Sequence, residues 1–559
     1  MMRGVLGWSA IALLAVFFAV FLLLPLGISV AQGLSPSVLA AALAHPLYRQ
    51  GLLNAGAIAL VSTLLTMLIA LPLAWIGARY RFPGQRWLEP LALAPLILPP
   101  FVGAIGFAQL FGQFGAVNSL LATMGMITAG QGPDWLGDHR FAAVCVLEAL
   151  HLYPILYLTT AASLARLDPS LIEAAQHLGA GPWTRFTRVV LPQIRPGVFG
   201  GGIVVLVWSF TELGTPLMLG YDRATPVQIY HGLSELGTNP LPFALVVILL
   251  VVSLALYLVA RLVFLRRHDE LVGRHAGAWV PRPLRGWRGV LAAMAVAAIV
   301  VCAAAPHAAV ALIAVSGSWY GTVLPESLTL RHVERALAHP SVVPGVINSL
   351  IYAGGATLLA LVIGTFIAWI GTRWRPRGWQ LLDGLAMLPL AIPGVILAFG
   401  YLVMVMGIPQ LRALFDPVRD PTAILIIAYA VRRLPHVVRA GAAGLAQVPV
   451  VYEEAAASLG AGLAQRLRRV TLPLVLGSLA AGALLTFSFS MLEVSDSLIL
   501  AQRHDAFPIT KVLFELVNII GGGPAIACAF AVWAMLFLAS ALALASALLG
   551  RGVTTLFRE

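Results

Sequence analysis

Twelve apolar stretches dominate this chain, at approximately 8–31, 52–78, 88–112, 141–165, 197–220, 241–265, 289–316, 345–371, 382–406, 422–445, 476–500 and 525–550. Each approaches or exceeds the roughly 20 residues with which a helix crosses the hydrocarbon core of a bilayer. There every backbone N–H and C=O must be satisfied within the protein, which leaves only helices or a closed barrel. Uninterrupted apolar runs of this length are helical, so the fold class is an all-α integral membrane protein of about twelve transmembrane helices. Of 559 residues, 60% are hydrophobic and only 10% charged, too little charge to cover a soluble protein of this size.

The stretches form two sets of six, because the sequence repeats. Asn54 answers Asn348; Ala74-Trp75-Ile76-Gly77 followed by Arg79 answers Ala368-Trp369-Ile370-Gly371 followed by Arg373; Pro95 and Pro99 answer Pro389 and Pro393. These pairs lie 294 residues apart. Further on, Glu173-Ala174-Ala175 and Leu178-Gly179-Ala180-Gly181 return as Glu454-Ala455-Ala456 and Leu459-Gly460-Ala461-Gly462, now 281 residues apart. Arg185, Arg188 and Leu191-Pro192 return at the same offset as Arg466, Arg469 and Leu472-Pro473. The difference in offset belongs between Pro99 and Pro154, most simply in a loop around Gly130 to Arg140. Two equally oriented six-span halves make a parallel repeat.

The net charge of +12 comes almost entirely from arginine, with Lys511 the single lysine. Most of these residues flank the apolar stretches, where they set orientation and meet anionic headgroups. No basic run is interleaved with aromatics, which argues against nucleic-acid binding. An N-terminus on the cytoplasmic side places most arginines inside, and the even span number then puts both termini and both repeated loops there. The first run is longer than the roughly 7–15 residues of a secretory h-region, so it is read as a retained helix despite Ser29-Val30-Ala31. Cys145, Cys302 and Cys528 lie in apolar runs with no CxxC spacing and are read as small buried hydrophobes.

The repeated loop reads as two short helices around a turn. Asp168 is placed to N-cap the first, with Pro169 in its first turn and Glu173 near the positive end of its dipole. Ala174 and Ala175 leave room for a partner's close approach, and Gly179 and Gly181 permit a sharp reversal. Arg185 and Arg188 then share one face of a second segment, which Pro192 is expected to end. The second copy has Val448-Pro449 for Leu167-Asp168 and so loses the cap. An amphipathic hairpin on the membrane surface explains one such loop, but two at equivalent positions point to two docking points for one kind of soluble partner.

The E-A-A, three-residue gap, G pattern ending in L-P resembles the cytoplasmic loop of binding-protein-dependent ABC importer permeases, of the fused two-half type with MetI-like domains. The resemblance covers nearly the whole chain. It implies two tandem six-helix MetI-like permease domains, 1–265 and 289–559, joined by a cytoplasmic linker at 266–288, with coupling loops at 168–195 and 448–475. It implies that Glu173, Ala174, Ala175, Gly179 and Glu454, Ala455, Ala456, Gly460 engage clefts on two copies of an ABC ATPase subunit. A periplasmic or lipid-anchored solute-binding protein is implied as the second partner, and the bacterial plasma (inner) membrane as the location. No catalytic residue, resident metal or cofactor is implied for this chain: ATP and Mg belong to the partner subunits. The residues agree, since a P-loop needs GxxxxGK[ST] and Lys511 in Pro508-Ile509-Thr510-Lys511 has no such glycines before it.

Fused permeases of this size are similar to the ferric-iron importer group. The similarity rests on Val431-Arg432-Arg433-Leu434-Pro435 and on two acidic segments, Thr211-Glu212-Leu213-Gly214-Thr215-Pro216-Leu217 and Leu492-Glu493-Val494-Ser495-Asp496-Ser497-Leu498, both of which depart from that group's usual E-L-P-A-T. It implies ferric iron as solute, with 2-aminoethylphosphonate, thiamine or another small solute as alternatives. A secondary transporter of two parallel six-span repeats is a further alternative, but leaves the duplicated loop unexplained. Ionisable groups within spans usually face a bundle interior or a watery path, so Glu212, Glu493, Asp496, Arg432 and Arg433 are the candidate pathway residues. Glu212 and Glu493 either form a pair that favours a passing cation or are hydrogen-bonded to neighbouring helices. Arg432 and Arg433 either attract an anion or pair with Asp496 or Glu493. His151, the counterpart of Arg432, is more simply structural than a metal ligand. Pro72, Pro95, Pro99, Pro154, Pro389, Pro393 and Pro435 predict kinked or broken helices around a path.

Overall fold

The computed structural model describes residues 5–96, 99–128, 130–137, 139–165, 167–268 and 282–548. In chain order the elements that carry the argument in the first half are α1 (Ile11–Gly33), α2 (Pro46–Arg79), α3 (Pro100–Phe111), α4 (Arg140–Ala165), α5 (Pro169–His177), α6 (Leu191–Thr211) and α7 (Leu241–His268). The second half continues with α8 (Trp287–Ala314), α9 (Val342–Trp369), α10 (Gly394–Gly407), α11 (Thr422–Gln447), α12 (Val450–Ser458), α13 (Leu472–Met491) and α14 (Gly523–Leu548). Strand structure among the described residues is confined to two minimal pairs, Tyr80–Arg81 with Arg282–Pro283 and Ser316–Ser318 with Ser327–Leu328.

Among the described residues ten helices are long and apolar enough to span, and a bent pair, Trp379–Leu390 with Gly394–Gly407, makes an eleventh at an angle of 105°. The remaining stretch, 422–445, is the 26-residue helix α11. It fails a simple apolar criterion because Arg432, Arg433 and Arg439 all lie on it, yet it packs between α9 and α13 as α4 packs between α2 and α6. Arg432 and Arg433 are largely sheltered among helices rather than turned to lipid, which is how charge is tolerated at this depth, whereas Arg439 is exposed.

The prolines divide by position. Pro95 and Pro389 sit in short 3-10 turns, and Pro99 and Pro393 immediately precede α3 and α10. With two missing N–H donors within five residues, the helix cannot continue, so the third span of each half is broken. Pro72, Pro154 and Pro435 instead lie within continuous helices. Pro192 does not end its segment as expected: Pro182–Arg185, a π turn at Phe186–Val190 and α6 run on as one helix. Pro192 falls in the first turn after the π register shift, where a missing N–H costs little.

The two halves embrace. α1 packs on α7 of its own half and on α10 of the other; α8 packs on α14 and on α3. The crossings use equivalent residues. A Cβ on Gly400 would lie 2.8 Å from the Pro25 carbonyl oxygen, and one on Gly106 only 1.8 Å from that of Pro306. Such contacts are the small-residue approach by which helices associate without a hydrophobic driving force. Tyr401 donates to the Phe21 carbonyl at 2.6 Å, tying α1 further to the second half.

Asn54 and Asn348 also act alike, donating across their own halves to Arg223 O at 2.9 Å and Asp505 O at 2.8 Å. The long connection at 124–139 stands where the second half has only 416–421, so the extra residues lie where the change of offset placed them. Between the halves, α7 reaches His268 and α8 starts at Trp287; most of the 266–288 linker, residues 269–281, lies outside the described residues. Cys145 and Cys528 are buried as expected, but Cys302 is exposed, on a face of α8 with exposed Val301 and Met294 beside it. As a small weakly polar side chain, cysteine suits an apolar surround as well as a core.

Candidate functional site

The repeated loops have one geometry. α5 and α12 each end in the same C-cap: Gly179 N–H donates to Gln176 O and Ala180 N–H to Ala175 O, both at 3.0 Å, while Gly460 and Ala461 donate to Ala457 O and Ala456 O at 3.0 Å. These are the paired bonds of a Schellman motif, which needs a left-handed residue after the helix. Gly179 and Gly460 supply it at φ of 80° and 83°. Nothing lies within 4 Å of where their Cβ atoms would be, so the requirement is conformational and the surface there is open. Glu173, Ala174, Glu454 and Ala455 are exposed, and Ala175 and Ala456 are half-buried. At the apex stand Leu178 and Leu459, 88% and 89% exposed.

The entries to the loops differ as the sequences require. Asp168 caps α5, accepting from Ser170 N–H at 2.9 Å, and hydrogen bonds from the Ser170 hydroxyl and then its N–H hold the carboxyl below the usual 3.8. Glu173 lies one residue beyond the first turn rather than in it. The second loop has no side-chain cap but carries an anchor that sequence reading missed. Arg373, at the end of the helix leaving the membrane, donates to Glu453 Oε1 at 3.0 Å and to Val448 O at 2.7 Å. Thr471 also donates to Glu453 Oε1, at 3.1 Å. The first-half counterpart of Glu453 is Ile172, so repeat symmetry does not mark the pairing.

The acidic segments meet where the halves face each other. Trp208 and Phe489, repeat equivalents, lie edge to face with centroids 6.4 Å apart. A Cβ on Gly214 would be 3.3 Å from Val494 Cγ1. Around this centre the two sides differ in charge. Glu493, 3% exposed, accepts from Arg432 Nη1 at 2.6 Å and from Arg433 Nη2. Asp496, fully buried, lies 3.5 Å from Arg432. Arg433 also covers the Phe489 ring, against which His436 stacks.

Glu212 accepts from Trp208 Nε1 at 3.2 Å and from Gly214 N–H at 3.1 Å. Both glutamates are thus held by protein donors, and Arg432 and Arg433 are spent on acidic neighbours. His151 lies edge-on to Trp208. A further acid, Glu148, is buried beside them, accepting from Ser62 Oγ at 3.3 Å and from Ser209 Oγ. Its signal is in the sequence, an acidic residue midway along an apolar run, but its counterpart is Tyr429, so repeat symmetry does not mark it. Among the described residues no cluster of three or more His, Cys, Asp or Glu is arranged to hold a metal ion.

Two broken-span helical units in tandem, meeting at a buried charged centre and each exposing the same loop, define a duplicated membrane permease. The chain belongs to the family described as binding-protein-dependent transport system inner membrane component, whose model matches it twice, at residues 68–268 and 360–547. Permease subunits of this family are not themselves enzymes. The chain is 26% identical over 447 residues to the putative ferric transport system permease protein FbpB 1 of Haemophilus influenzae, an alignment covering 79% of this chain and 68% of that one. It is 26% identical to the ferric transport system permease protein FbpB of Actinobacillus pleuropneumoniae, covering 79% and 62%. To the probable ABC transporter permease protein y4fN of Sinorhizobium fredii it is 30% identical over 411 residues, covering 71% and 69%.

Proposed function

We propose that this chain forms the translocation pathway of a bacterial inner-membrane ABC importer, taking ferric iron from a periplasmic or lipid-anchored binding protein. Residues 1–265 and 289–559 act as two permease halves, and both termini lie in the cytoplasm. Two copies of an ABC ATPase dock on the loops 168–195 and 448–475, and their ATP and Mg supply the energy. Leu178 and Leu459 carry this reading. Two large apolar side chains fully presented to water at matching places are costly for the isolated chain and apt for burial in a partner's cleft. Glu173, Ala174, Ala175 and Gly179, with Glu454, Ala455, Ala456 and Gly460, shape the same two surfaces. Iron is supported by the names of two relatives and by an acidic excess at the centre, where Glu148, Glu212, Glu493 and Asp496 face Arg432 and Arg433.

The experiment is labelled ferric-iron uptake by cells carrying the permease with its ATPase and binding protein, beside the Gly179→Asp/Gly460→Asp double variant. Aspartate at a left-handed position strains both caps while leaving the spans untouched. The expected result is uptake by the first and none by the second, with equal amounts of both in the membrane. Uptake persisting in the double variant would sink the coupling assignment. Absence of iron uptake from an intact, ATP-hydrolysing complex would move the solute to another class.

A further inference from the structure

Beside each loop the long helices leave an apolar groove, and the two grooves are built from equivalent residues. The first, about 570 Å³, is walled by Pro72, Trp75, Phe186 and Leu191. The second, about 460 Å³, is walled by Phe366, Trp369, Leu467 and Leu472. Their charges differ. Arg79 and Arg185 line the first, and no acidic residue does. In the second, the counterpart of Arg79 is Arg373, which turns away to Glu453 and the Val448 carbonyl, and Arg468 is the one charged lining residue. The first groove has Ile172 in its wall at the position of Glu453.

Within the first groove the guanidinium of Arg79 lies 5.0 Å above the Trp75 ring. Arg185 donates through Nη1 to Gln176 on α5 at 2.6 Å. Its buried Nε meets no hydrogen-bond acceptor. Trp183, 74% exposed, stands at the rim. Apolar walls ending in two arginines and a tryptophan match a phospholipid at the membrane interface, where aromatic rings sit at headgroup level and basic pockets between helices take anionic headgroups. A guanidinium also suits phosphate through directed, charge-assisted hydrogen bonds.

We propose that the first-half groove binds one anionic phospholipid of the cytoplasmic leaflet, its phosphate against Arg185 and Arg79 and an acyl chain along the apolar wall. The proposal rests on the cytoplasmic placement of the loops argued above. Through the Arg185–Gln176 bond the lipid touches the loop helix, so one of the two docking points is lipid-sensitive and the other much less so.

The test is native mass spectrometry of the intact permease–ATPase complex after equilibration with equimolar phosphatidylglycerol and phosphatidylcholine. One phosphatidylglycerol retained per chain is expected, preferred about thirtyfold, as about 1 kcal/mol for each of two arginines implies. Arg79→Gln/Arg185→Gln should abolish the preference, Arg185→Lys should keep most of it and so report that the groove still folds, and Arg468→Gln should change it little. Equal retention of the two lipids by the native chain, or an unchanged preference in the double glutamine variant, overturns the proposal. So does a photocrosslinker at Trp183 that labels the ATPase in place of lipid. The Gly179→Asp/Gly460→Asp protein should still select phosphatidylglycerol, which separates failure of the lipid site from failure of the coupling reading.

Discussion

Gly400 rests against the backbone of Pro25, its missing Cβ only 2.8 Å from the proline carbonyl oxygen. Gly106 meets Pro306 in the same way, closer still at 1.8 Å. Each contact joins the first helix of one half to the broken span of the other, so the halves are fastened by exchange rather than by a flat face. A methyl at either glycine must push a backbone aside, since no flexible side chain is there to yield. Overpacking of this kind costs about 1–3 kcal/mol. Gly106→Ala is expected to lower the thermal midpoint of the purified protein more than Gly400→Ala, and Gly354→Ala, with open space around it, should leave it unchanged.

Glu493 is the shared acceptor of Arg432 and Arg433, whereas Glu212 is held by one indole and one amide. Removing a partner from a buried ion pair is expensive, about 3–5 kcal/mol, because the remaining charge stays buried. Glu493→Gln leaves Arg433 without its carboxylate and Arg432 with Asp496 alone, and should destabilise the protein by an amount of that order in denaturant titration. Glu212→Gln keeps an acceptor for only one of the two donors, which bond different carboxylate oxygens, and with no buried ion pair to break it should cost less, about 1–3 kcal/mol for the donor left unmet.

The loops should respond differently to acid. Asp168 has its carboxyl depressed by hydrogen bonds from the Ser170 hydroxyl and N–H. A carboxyl with a lowered folded value stabilises fully above its unfolded pKa and loses that contribution as pH falls through the folded one. The cap of α5 therefore holds at neutral pH and is lost only below the ordinary value of 3.8. Hydrogen exchange corrected for intrinsic rate should show 169–177 opening in that window. The Asp168→Asn protein, which keeps a capping acceptor without the charge, should show no such transition.

Much of this architecture is legible in the residues. The broken third span follows from Pro95 with Pro99 and from Pro389 with Pro393, because two absent donors so close together have no helical solution. The left-handed turns follow from Gly179 and Gly460. The central site is less legible, because repeat symmetry finds what the halves share and the chemistry lies where they differ. Glu148 faces a Tyr429 counterpart, Glu453 an Ile172, and Arg432 a His151. Pairing is also nonlocal: the sequence offers an anion, Asp496 or Glu493 to Arg432 and Arg433, and only the fold puts both on Glu493. The π turn before α6 hid the fate of Pro192, since a register shift leaves no compositional mark.

Arg373, Glu453 and Thr471 fix the second loop to the helix above it, while the first loop has Ile172 in the same place. Glu453→Ala removes charge-assisted bonds of about 1.5–3 kcal/mol from the second loop only. Hydrogen exchange in 450–458 should rise by one to two orders of magnitude on that arithmetic, with 169–177 unchanged. Equal rises in both would mean that the loops move as one body through the closed centre.

The apex leucines give the most direct test of docking. At 88% and 89% exposure, Leu178 and Leu459 contribute little to the folded permease, and surface changes of this kind stay within about 0.5 kcal/mol. If a partner buries them, each is worth about 1.5–3 kcal/mol at the interface. Leu178→Ser and Leu459→Ser should therefore each weaken ATPase binding by about one to two orders of magnitude at an unchanged thermal midpoint, measured by titrating the ATPase onto permease in nanodiscs. Two matched losses would follow from two equivalent sockets. A loss at Leu178 alone would mean that Arg373 and Glu453 hold the second loop in a different working position.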